Sequence, residues 1–213
     1  MKTDDLIAML ASDAAPVASR VWRRRYALAM GAGVLGATLL MVPLLGVRPD
    51  IADAVRLPMF WVKLAFPALL AAVTLLAAVR LSRPGMALGH IASAMAAPVL
   101  AIGLLAAVSL LGAAPEDRVM LIWGETWAAC LVNIPMLSVP AFVALLWVMK
   151  TLAPVRPALA GAAAGLVAGA ISAAVYALHC PELAAPFIGI WYTLGMLIPT
   201  ALGALVGARL LRW

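Results

Sequence analysis

The sequence predicts an all-α integral membrane protein with six transmembrane helices, short loops and both termini in the cytoplasm. Three observations carry this prediction. The chain of 213 residues contains only 11% charged residues, and its mean hydropathy is +1.09. Six successive apolar runs each approach the roughly 20 residues that a helix needs to cross a hydrocarbon core. The basic residues, finally, collect in alternate connecting segments, as they do in membrane proteins of defined orientation.

Short segments with turn-forming residues separate the six predicted helices. "GVRPD" at 46–50 and "LSRPG" at 81–85 are examples, because proline and glycine end helices. Short loops require neighbouring helices to be antiparallel, and strands are not expected, because lipid leaves unpaired backbone groups unsatisfied. The predicted helices lie within a membrane domain of residues 20–213, at approximately 26–46, 60–79, 91–113, 130–149, 158–178 and 187–208.

The distribution of charge predicts the orientation. With the N-terminus in the cytoplasm, eleven of the 15 lysines and arginines lie on the cytoplasmic side. An even number of helices then returns the C-terminus to the cytoplasm. The formal net charge of +6 does not indicate direct nucleic-acid binding, because the cations lie between apolar runs rather than on one polar face. The four cations on the outer side are Arg48, Arg56, Lys63 and Arg118.

Residues 1–19 form a separate cytoplasmic segment in this prediction. "MKTDDLIAML" combines a capping threonine with two acidic residues in a first turn, which favours the start of a helix. Leu6, Met9 and Leu10 follow helical spacing, and Ile7 widens their apolar stripe. Because so short a helix is marginal alone in water, it must lie on the membrane, on the rest of the chain or on a partner.

Lys63 is an ionisable residue one turn inside the second apolar run, in "FWVKLAF". Two interpretations are open. An intramembrane charge is a functional candidate by default. Alternatively, the lysine snorkels to the outer surface within an aromatic belt formed by Phe60, Trp61 and Phe66.

Small residues on the fifth and sixth helices predict close packing. Gly161, Gly165 and Gly169 form a double G-x-x-x-G pattern, and Gly203 and Gly207 form another. Such residues let two helix backbones approach each other. We expect them to pack within the chain, and a homo-oligomer is the alternative.

The fourth helix contains "CLVNIPMLSVP" at 130–140, in which two prolines interrupt the helix. This pattern predicts a structural kink rather than a transport site, because no second broken helix with matching chemistry is visible. A small transporter would also need ionisable groups near the middle of the membrane.

Two cysteines are the sharpest candidates for chemistry. Cys130 begins the fourth helix and Cys180 follows the fifth in "HCPE" at 179–182, so both lie at the outer face, where disulfides are permitted in bacteria. Isolated membrane cysteines usually only pack. Two at one depth, with His179 and Glu182 beside them, favour a redox-responsive or metal-responsive thiol pair. His179 would either lower the thiol pKa or join both thiolates around a soft metal ion, completed by Glu182 or Glu125.

Several long stretches resemble one family of bacterial regulators. They include "FWVKLAF", "WAACLVNIPMLSVP" and "RPALAGAAAGLVAGAISAAVYALHCPE", with the terminal "LLRW". The chain resembles the NrsF family, the negative regulators of sigma F, over its whole length. The resemblance implies an inner-membrane anti-sigma factor that sequesters an extracytoplasmic-function sigma factor and releases it under stress. It also implies that Cys130 and Cys180 are needed for the response.

The resemblance and the residues together favour a regulator over an enzyme. No nucleophile–base constellation, phosphate loop or complete zinc ligand set is visible in the sequence. A quinone-linked thiol oxidoreductase, the second alternative besides a transporter, usually needs two cysteine pairs. We therefore expect no cofactor, with a metal ion left open as the signal. The expected sigma-factor contacts are Leu6, Ile7, Met9 and Leu10.

Overall fold

A computed structural model describes Thr3, Asp5, Met9, residues 19–83, Met86 and residues 88–212. Within these residues the regular structure is entirely helical, and six helices are long and apolar enough to cross a membrane. The predicted fold class is therefore confirmed. The helices are α1 (Ser19–Leu44), α2 (Ile51–Ala54), α3 (Pro58–Leu81), α4 (Ile91–Gly112), α5 (Arg118–Trp123), α6 (Trp127–Lys150), α7 (Pro157–Tyr176), α8 (Ala185–Phe187) and α9 (Thr193–Leu210).

The central helix of the bundle is α7, which contacts α1, α3, α6 and α9. Most of its residues are buried, and they are mainly alanine and glycine. Small side chains let four neighbouring helices approach α7 at once. In lipid the hydrophobic effect does not drive helices together, so this close van der Waals packing stabilises the bundle instead. In contrast, α4 lies at the periphery against α3 and α8 and buries only Ile91 and Ile102.

The two glycine motifs pack against each other within the chain. A Cβ atom added to Gly161 would strike the carbonyl oxygen of Gly203, and one added to Gly203 would strike that of Gly161. A Cβ atom on Gly207 would lie 2.6 Å from the carbonyl oxygen of Pro157. The predicted packing of the fifth and sixth membrane helices within the chain is thus confirmed, at backbone-to-backbone contact.

Two predicted helix boundaries differ from the structure. The first membrane helix begins at Ser19 rather than near residue 26, because arginine stems can continue a helix beyond the apolar run. The sixth run is not one regular helix. It begins with the short α8, continues through a π-helical turn at Ile188–Tyr192 and then becomes α9. Trp191 and Tyr192 in this turn are both buried.

The fourth membrane helix keeps its helical assignment through both prolines, and the predicted kink stays a prediction. Pro135 and Pro140 lie inside α6, which runs unbroken from Trp127 to Lys150. Membrane helices tolerate proline because hydroxyl side chains and neighbouring helices supply hydrogen bonds to the backbone. Here Ser138 Oγ donates to the carbonyl oxygen of Pro135 (2.7 Å), and Ser172 Oγ of α7 donates to that of Ile134 (2.8 Å).

The six membrane helices alternate in direction and give the bundle two distinct ends. At one end, here called the basic end, Arg25 Nη1 donates to Thr151 Oγ1 (3.1 Å) and the Arg83 guanidinium lies 3.6 Å from the ring centre of Trp22. The opposite end, here called the cysteine end, carries Lys63 and Cys180.

Of the expected sigma-factor contacts, Met9 is helical and 64% exposed. The other three, Leu6, Ile7 and Leu10, lie outside the described residues.

Candidate functional site

The structure brings the two cysteines together at the cysteine end. Cys130 lies in the first turn of α6, and Cys180 lies in the loop that follows α7. Both are free thiols with 0% of their surface exposed. The two thiols interact electrostatically, and Thr126 Oγ1 lies 4.0 Å from the Cys180 sulfur. Two reduced thiols that lie close together can form a disulfide or bind a soft metal ion together.

Lys63 is fixed against the loop that carries Cys180. Its Nζ atom donates to the carbonyl oxygens of Cys180 (2.6 Å) and Glu182 (2.7 Å), and it lies 5.5 Å from the ring centre of Tyr192. The residue is 0% exposed, so the snorkelling interpretation is wrong. Trp61 occupies the outward position instead, with 55% of its surface exposed. The helix face that Lys63 occupies points into the bundle because α3 packs on α7 there.

A second cation reaches the same loop from the connection between α1 and α3. The backbone N–H of Arg48 donates to the carbonyl oxygen of Leu178 (3.1 Å), and its Nη1 donates to that of Cys180 (3.4 Å). Asp50 accepts two hydrogen bonds from the same guanidinium, at 2.8 and 2.7 Å. These bonds raise the pKa of Arg48 and lower the pKa of Asp50. Arg48 therefore holds the loop while its charge is already neutralised by Asp50.

His179 lies beside Cys180 in sequence, but its side chain points to another part of the chain. Its Nδ1 atom lies 2.9 Å from the carbonyl oxygen of Gly46, where φ is +77°. Glycine suits that left-handed conformation because other residues adopt it only with strain. The hydrogen bond joins the loop after α7 to the end of α1. His179 thus anchors the loop, and the cation that acts on the Cys180 thiol is Lys63.

Glu182 ties the loop to the turn between α5 and α6. Its Oε1 atom accepts a hydrogen bond from the backbone N–H of Glu125 (2.8 Å). Gly124, at φ +53°, makes this approach possible, since a Cβ atom there would lie 2.7 Å from Glu182 Oε1. Among the described residues, no three His, Cys, Asp or Glu side chains are grouped to hold a metal ion. A metal bound by both cysteines with His179 or Glu182 would require those side chains to leave their present partners.

Two buried tyrosines complete the surroundings of the sulfur atoms. The rings of Tyr176 and Tyr192 lie 6.0 Å apart, and both residues are almost completely buried. Both tyrosines interact electrostatically with the two cysteines. The Tyr192 hydroxyl has no hydrogen-bond partner in the part of the chain described. Sulfur is a weak acceptor, so this hydroxyl remains available to stabilise a thiolate.

The electrostatic surroundings favour the ionised form of Cys180. The neighbouring Cys130 thiol and the Lys63 ammonium lower the pKa of Cys180, although burial opposes this effect. A lower thiol pKa means that more of the reactive thiolate is present at neutral pH. The arrangement therefore pairs a nucleophilic sulfur with a second sulfur that can complete a disulfide.

Arg48, Tyr176 and Tyr192 belong to this site, but they were not predicted from the sequence. One signal was available for the tyrosines. The chain has only three tyrosines, and a buried phenol in a membrane protein needs a polar partner. No comparable signal marked Arg48, because its position in "GVRPD" is typical of an ordinary loop cation.

Comparisons with known proteins agree on one family. The family described as NrsF, negative regulator of sigma F, matches residues 10–213. The chain is 56% identical over 213 residues to a probable anti-sigma-F factor NrsF of Azospira oryzae, with complete coverage of both chains. It is 39% identical over 215 residues to the anti-sigma-F factor NrsF of Caulobacter vibrioides, again with complete coverage of both. No solved structure matches the chain.

Proposed function

Since the chain belongs to the NrsF family of negative regulators of sigma F, we propose that it holds a sigma factor of the extracytoplasmic-function class at the bacterial inner membrane and releases it under stress. The names of the two relatives support the anti-sigma role. The family is regulatory, which agrees with the expectation that the chain is not an enzyme. The bound partners are the sigma factor and the lipid bilayer, without direct contact to nucleic acid.

The observation that carries the proposed signal is the buried, reduced cysteine pair. Cys130 lies at the start of α6 and Cys180 follows the end of α7, so the two open ends of one helical hairpin bring the cysteines together. A reaction at the pair therefore changes how α6 and the loop after α7 lie against each other. Buried thiols with only a packing role would not need the two cations, Lys63 and Arg48, that hold the Cys180 loop.

The proposed orientation puts the basic end in the cytoplasm and the cysteine end in the periplasm. The basic end carries most of the lysines and arginines, in agreement with the positive-inside rule. The periplasm is oxidising and permits disulfides. In this orientation the N-terminal segment lies on the same side as the sigma factor, and α1 follows it directly.

Two reactions of the pair are chemically balanced. In the first, the Cys180 thiolate attacks an oxidant of the disulfide class and forms a mixed disulfide with it. Cys130 then attacks the Cys180 sulfur and releases the second half of the oxidant as a thiol. The S–S bond forms, two electrons reduce the oxidant to thiols, and the Cys130 proton leaves with the released thiol. In the second, a soft divalent cation binds both sulfur atoms and displaces the remaining thiol proton. Either product can shift the bundle from the sigma-bound arrangement to the releasing one only if it is more stable in the second arrangement than in the first.

The sigma factor would be bound by the N-terminal segment. Leu6, Ile7, Met9 and Leu10 form an apolar stripe that suits a helix-in-groove interaction. The arginines at positions 23–25, which are exposed at the start of α1, would hold its base against anionic lipid headgroups.

Membrane fractionation tests this function. The chain is produced together with a candidate extracytoplasmic-function sigma factor from the same bacterium, and that sigma factor is measured in membrane and soluble fractions. We expect it in the membrane fraction only when the chain is present, and we expect a thiol oxidant or a soft metal ion to move it to the soluble fraction. A sigma factor that stays soluble beside the inserted chain would contradict the anti-sigma role. Retention after treatment with both agents would contradict the signal.

A further inference from the structure

We propose that the groove between α1 and α6 at the basic end binds one anionic phospholipid, with its phosphate against Arg25 and Thr151 and an acyl chain along Trp147. This site goes beyond a general attraction of the arginines at positions 23–25 to lipid headgroups, because it selects one of the three and gives the lipid a defined place in the fold. It depends neither on the anti-sigma role nor on the chemistry of the cysteines.

The groove begins where α1 and α6 cease to touch. Near the middle of α1 the two helices are in close contact, since a Cβ atom added to Gly33 would lie 2.6 Å from the Cβ atom of Ala141. A Cβ atom added to Gly36 would lie 2.6 Å from the Cβ atom of Pro140. Towards the basic end, residues of both helices line an open groove of about 410 Å³. The glycine contact therefore closes the deep end of the groove, and the other end opens at the basic end of the bundle.

The lining of the groove is apolar up to its mouth. Ala29, Ala32 and Ala144 leave the space because their side chains are short. Leu28 and Trp147 also line the groove, and with 61% and 74% of their surfaces exposed they flank it on the outside of the bundle. A tryptophan near the end of a membrane helix is typical of the interface between hydrocarbon and headgroups. This lining suits an acyl chain that enters from that interface.

The depth of the groove matches one leaflet of a bilayer. Along α1 it extends from Ala32 to Arg25, which is about 10 Å at the rise of an α-helix. One leaflet contributes about 15 Å to the hydrocarbon core, so the groove covers about two thirds of it. Thr151, at the mouth, directly follows the last residue of α6. The mouth therefore lies where phosphates of lipid headgroups are found.

The mouth of the groove carries a positive charge that no acidic residue compensates. Arg25 Nη1 donates to Thr151 Oγ1 (3.1 Å), and this hydroxyl donates in turn to the carbonyl oxygen of Val148 (2.8 Å). Among the residues that the structure describes, no carboxylate pairs with Arg25. The other N–H groups of its guanidinium are available to a phosphate, which this planar group binds in a bidentate manner.

This charge favours a phospholipid over another helix as the occupant. A second copy of the chain, or an apolar helix of a partner, would cover the guanidinium of Arg25 without supplying an anion, and burying an unpaired charge is costly. A soluble anion would satisfy Arg25 but would leave the apolar part of the groove empty. A phospholipid supplies the phosphate and the acyl chain in one molecule.

Fluorescence quenching in vesicles tests the site. The purified full-length chain is reconstituted in phosphatidylcholine vesicles that contain a small fraction of lipid with brominated acyl chains, either phosphatidylglycerol or phosphatidylcholine. The signal of Trp147 is obtained as the difference from a Trp147→Phe variant, because the chain has seven tryptophans. We expect the anionic lipid to bind beside Trp147 about fivefold more tightly than the zwitterionic one, the factor that one basic residue contributes at a membrane surface.

Two pairs of variants separate a bounded site from diffuse surface charge. Arg25→Gln should abolish the preference for the anionic lipid. Arg24→Gln, which removes the same charge from an exposed neighbour outside the groove, should keep it. Ala32→Phe fills the groove without changing any charge and should also abolish the preference. Ala27→Phe, at an exposed position of α1 outside the groove, is its matched control.

Three results would overturn the proposal. Equal losses in Arg24→Gln and Arg25→Gln would show that only surface charge attracts the lipid. Loss of the preference when inorganic phosphate replaces chloride at the same ionic strength would identify a site for soluble anions. Quenching that falls as the ratio of protein to lipid rises would show that a second copy of the chain covers the groove. Because no sigma factor is present, these outcomes leave the proposed function untouched.

Discussion

The hydroxyl groups of Tyr26 and Ser82 lie 2.6 Å apart and join the start of α1 to the end of α3. Ser82 Oγ also donates to the carbonyl oxygen of Ala78 (2.7 Å), so Tyr26 is the donor to Ser82. Both residues are buried at the basic end. Because Lys63 lies near the other end of α3, this one helix contacts both the cysteine site and the residues that follow the N-terminal segment.

Removing the Tyr26 hydroxyl should weaken this junction measurably. We expect Tyr26→Phe to lower the free energy of unfolding by about 1 kcal/mol, the net value of one buried hydrogen bond. Ser82 keeps its hydrogen bond to the carbonyl oxygen of Ala78, so only the hydrogen bond from Tyr26 is lost. Thermal unfolding in detergent measures it, with Ser82→Ala and the double variant completing a mutant cycle. Additive losses would show that the two hydroxyls do not interact.

The glycine contact between α7 and α9 should tolerate no side chain. Gly203→Ala would drive a methyl group into the backbone of Gly161, and such overpacking costs about 1–3 kcal/mol. Gly103→Ala in α4 is the matched control, since nothing lies within 4 Å of the added atom. The control should be neutral or stabilised by up to about 1 kcal/mol. Equal melting temperatures for the two variants would contradict the packing.

Each cysteine should be necessary for the response. Cys130→Ser and Cys180→Ser are each expected to abolish release of the sigma factor under stress, and the double variant should behave like either single one, because the pair acts as a unit. The sigma factor should stay bound in all three. A reporter gene under sigma control measures release. A normal response from either single variant would show that the two cysteines only pack between the helices.

The N-terminal segment should be the main contact for the sigma factor. Leu6→Asp with Leu10→Asp is expected to insert in the membrane normally but to free the sigma factor without stress, because carboxylates cannot enter an apolar groove. Ala8→Asp with Ser12→Asp adds the same two carboxylates on the opposite face of the segment and should retain binding. Reporter activity distinguishes the cases. Silent target genes in the first variant would locate the contact elsewhere.

The orientation can be tested independently of the sigma factor. Alkaline phosphatase fused after Trp213 should be inactive, since the enzyme folds only outside the cytoplasm, whereas a fusion near Asp53 should be active. The reverse result would place the cysteine end in the cytoplasm. Immunoblotting of both fusions confirms that each is produced to the same level.

The number of membrane helices and the glycine contact between the fifth and the sixth could be read from the amino-acid sequence alone. A run of about 20 apolar residues can only cross the bilayer as a helix, because lipid leaves no other way to pair the backbone. Short loops then force antiparallel neighbours, and small residues on α7 and α9 identify the closest contact. The same logic places Cys130 and Cys180 at one end of the bundle, since both lie at outer ends of predicted helices.

Only the tertiary structure decided which groups each polar residue meets. Lys63 has the same local sequence whether it snorkels outward or points inward, and the packing of α3 on α7 determines its direction. His179 neighbours Cys180 in sequence, yet it bonds to Gly46, 133 positions away. Hydrogen bonds are short-range and directional, so they depend on which helices lie side by side. Hydrophobic run length depends on the local sequence alone, which is why the fold was predictable and the partners of Cys180 were not.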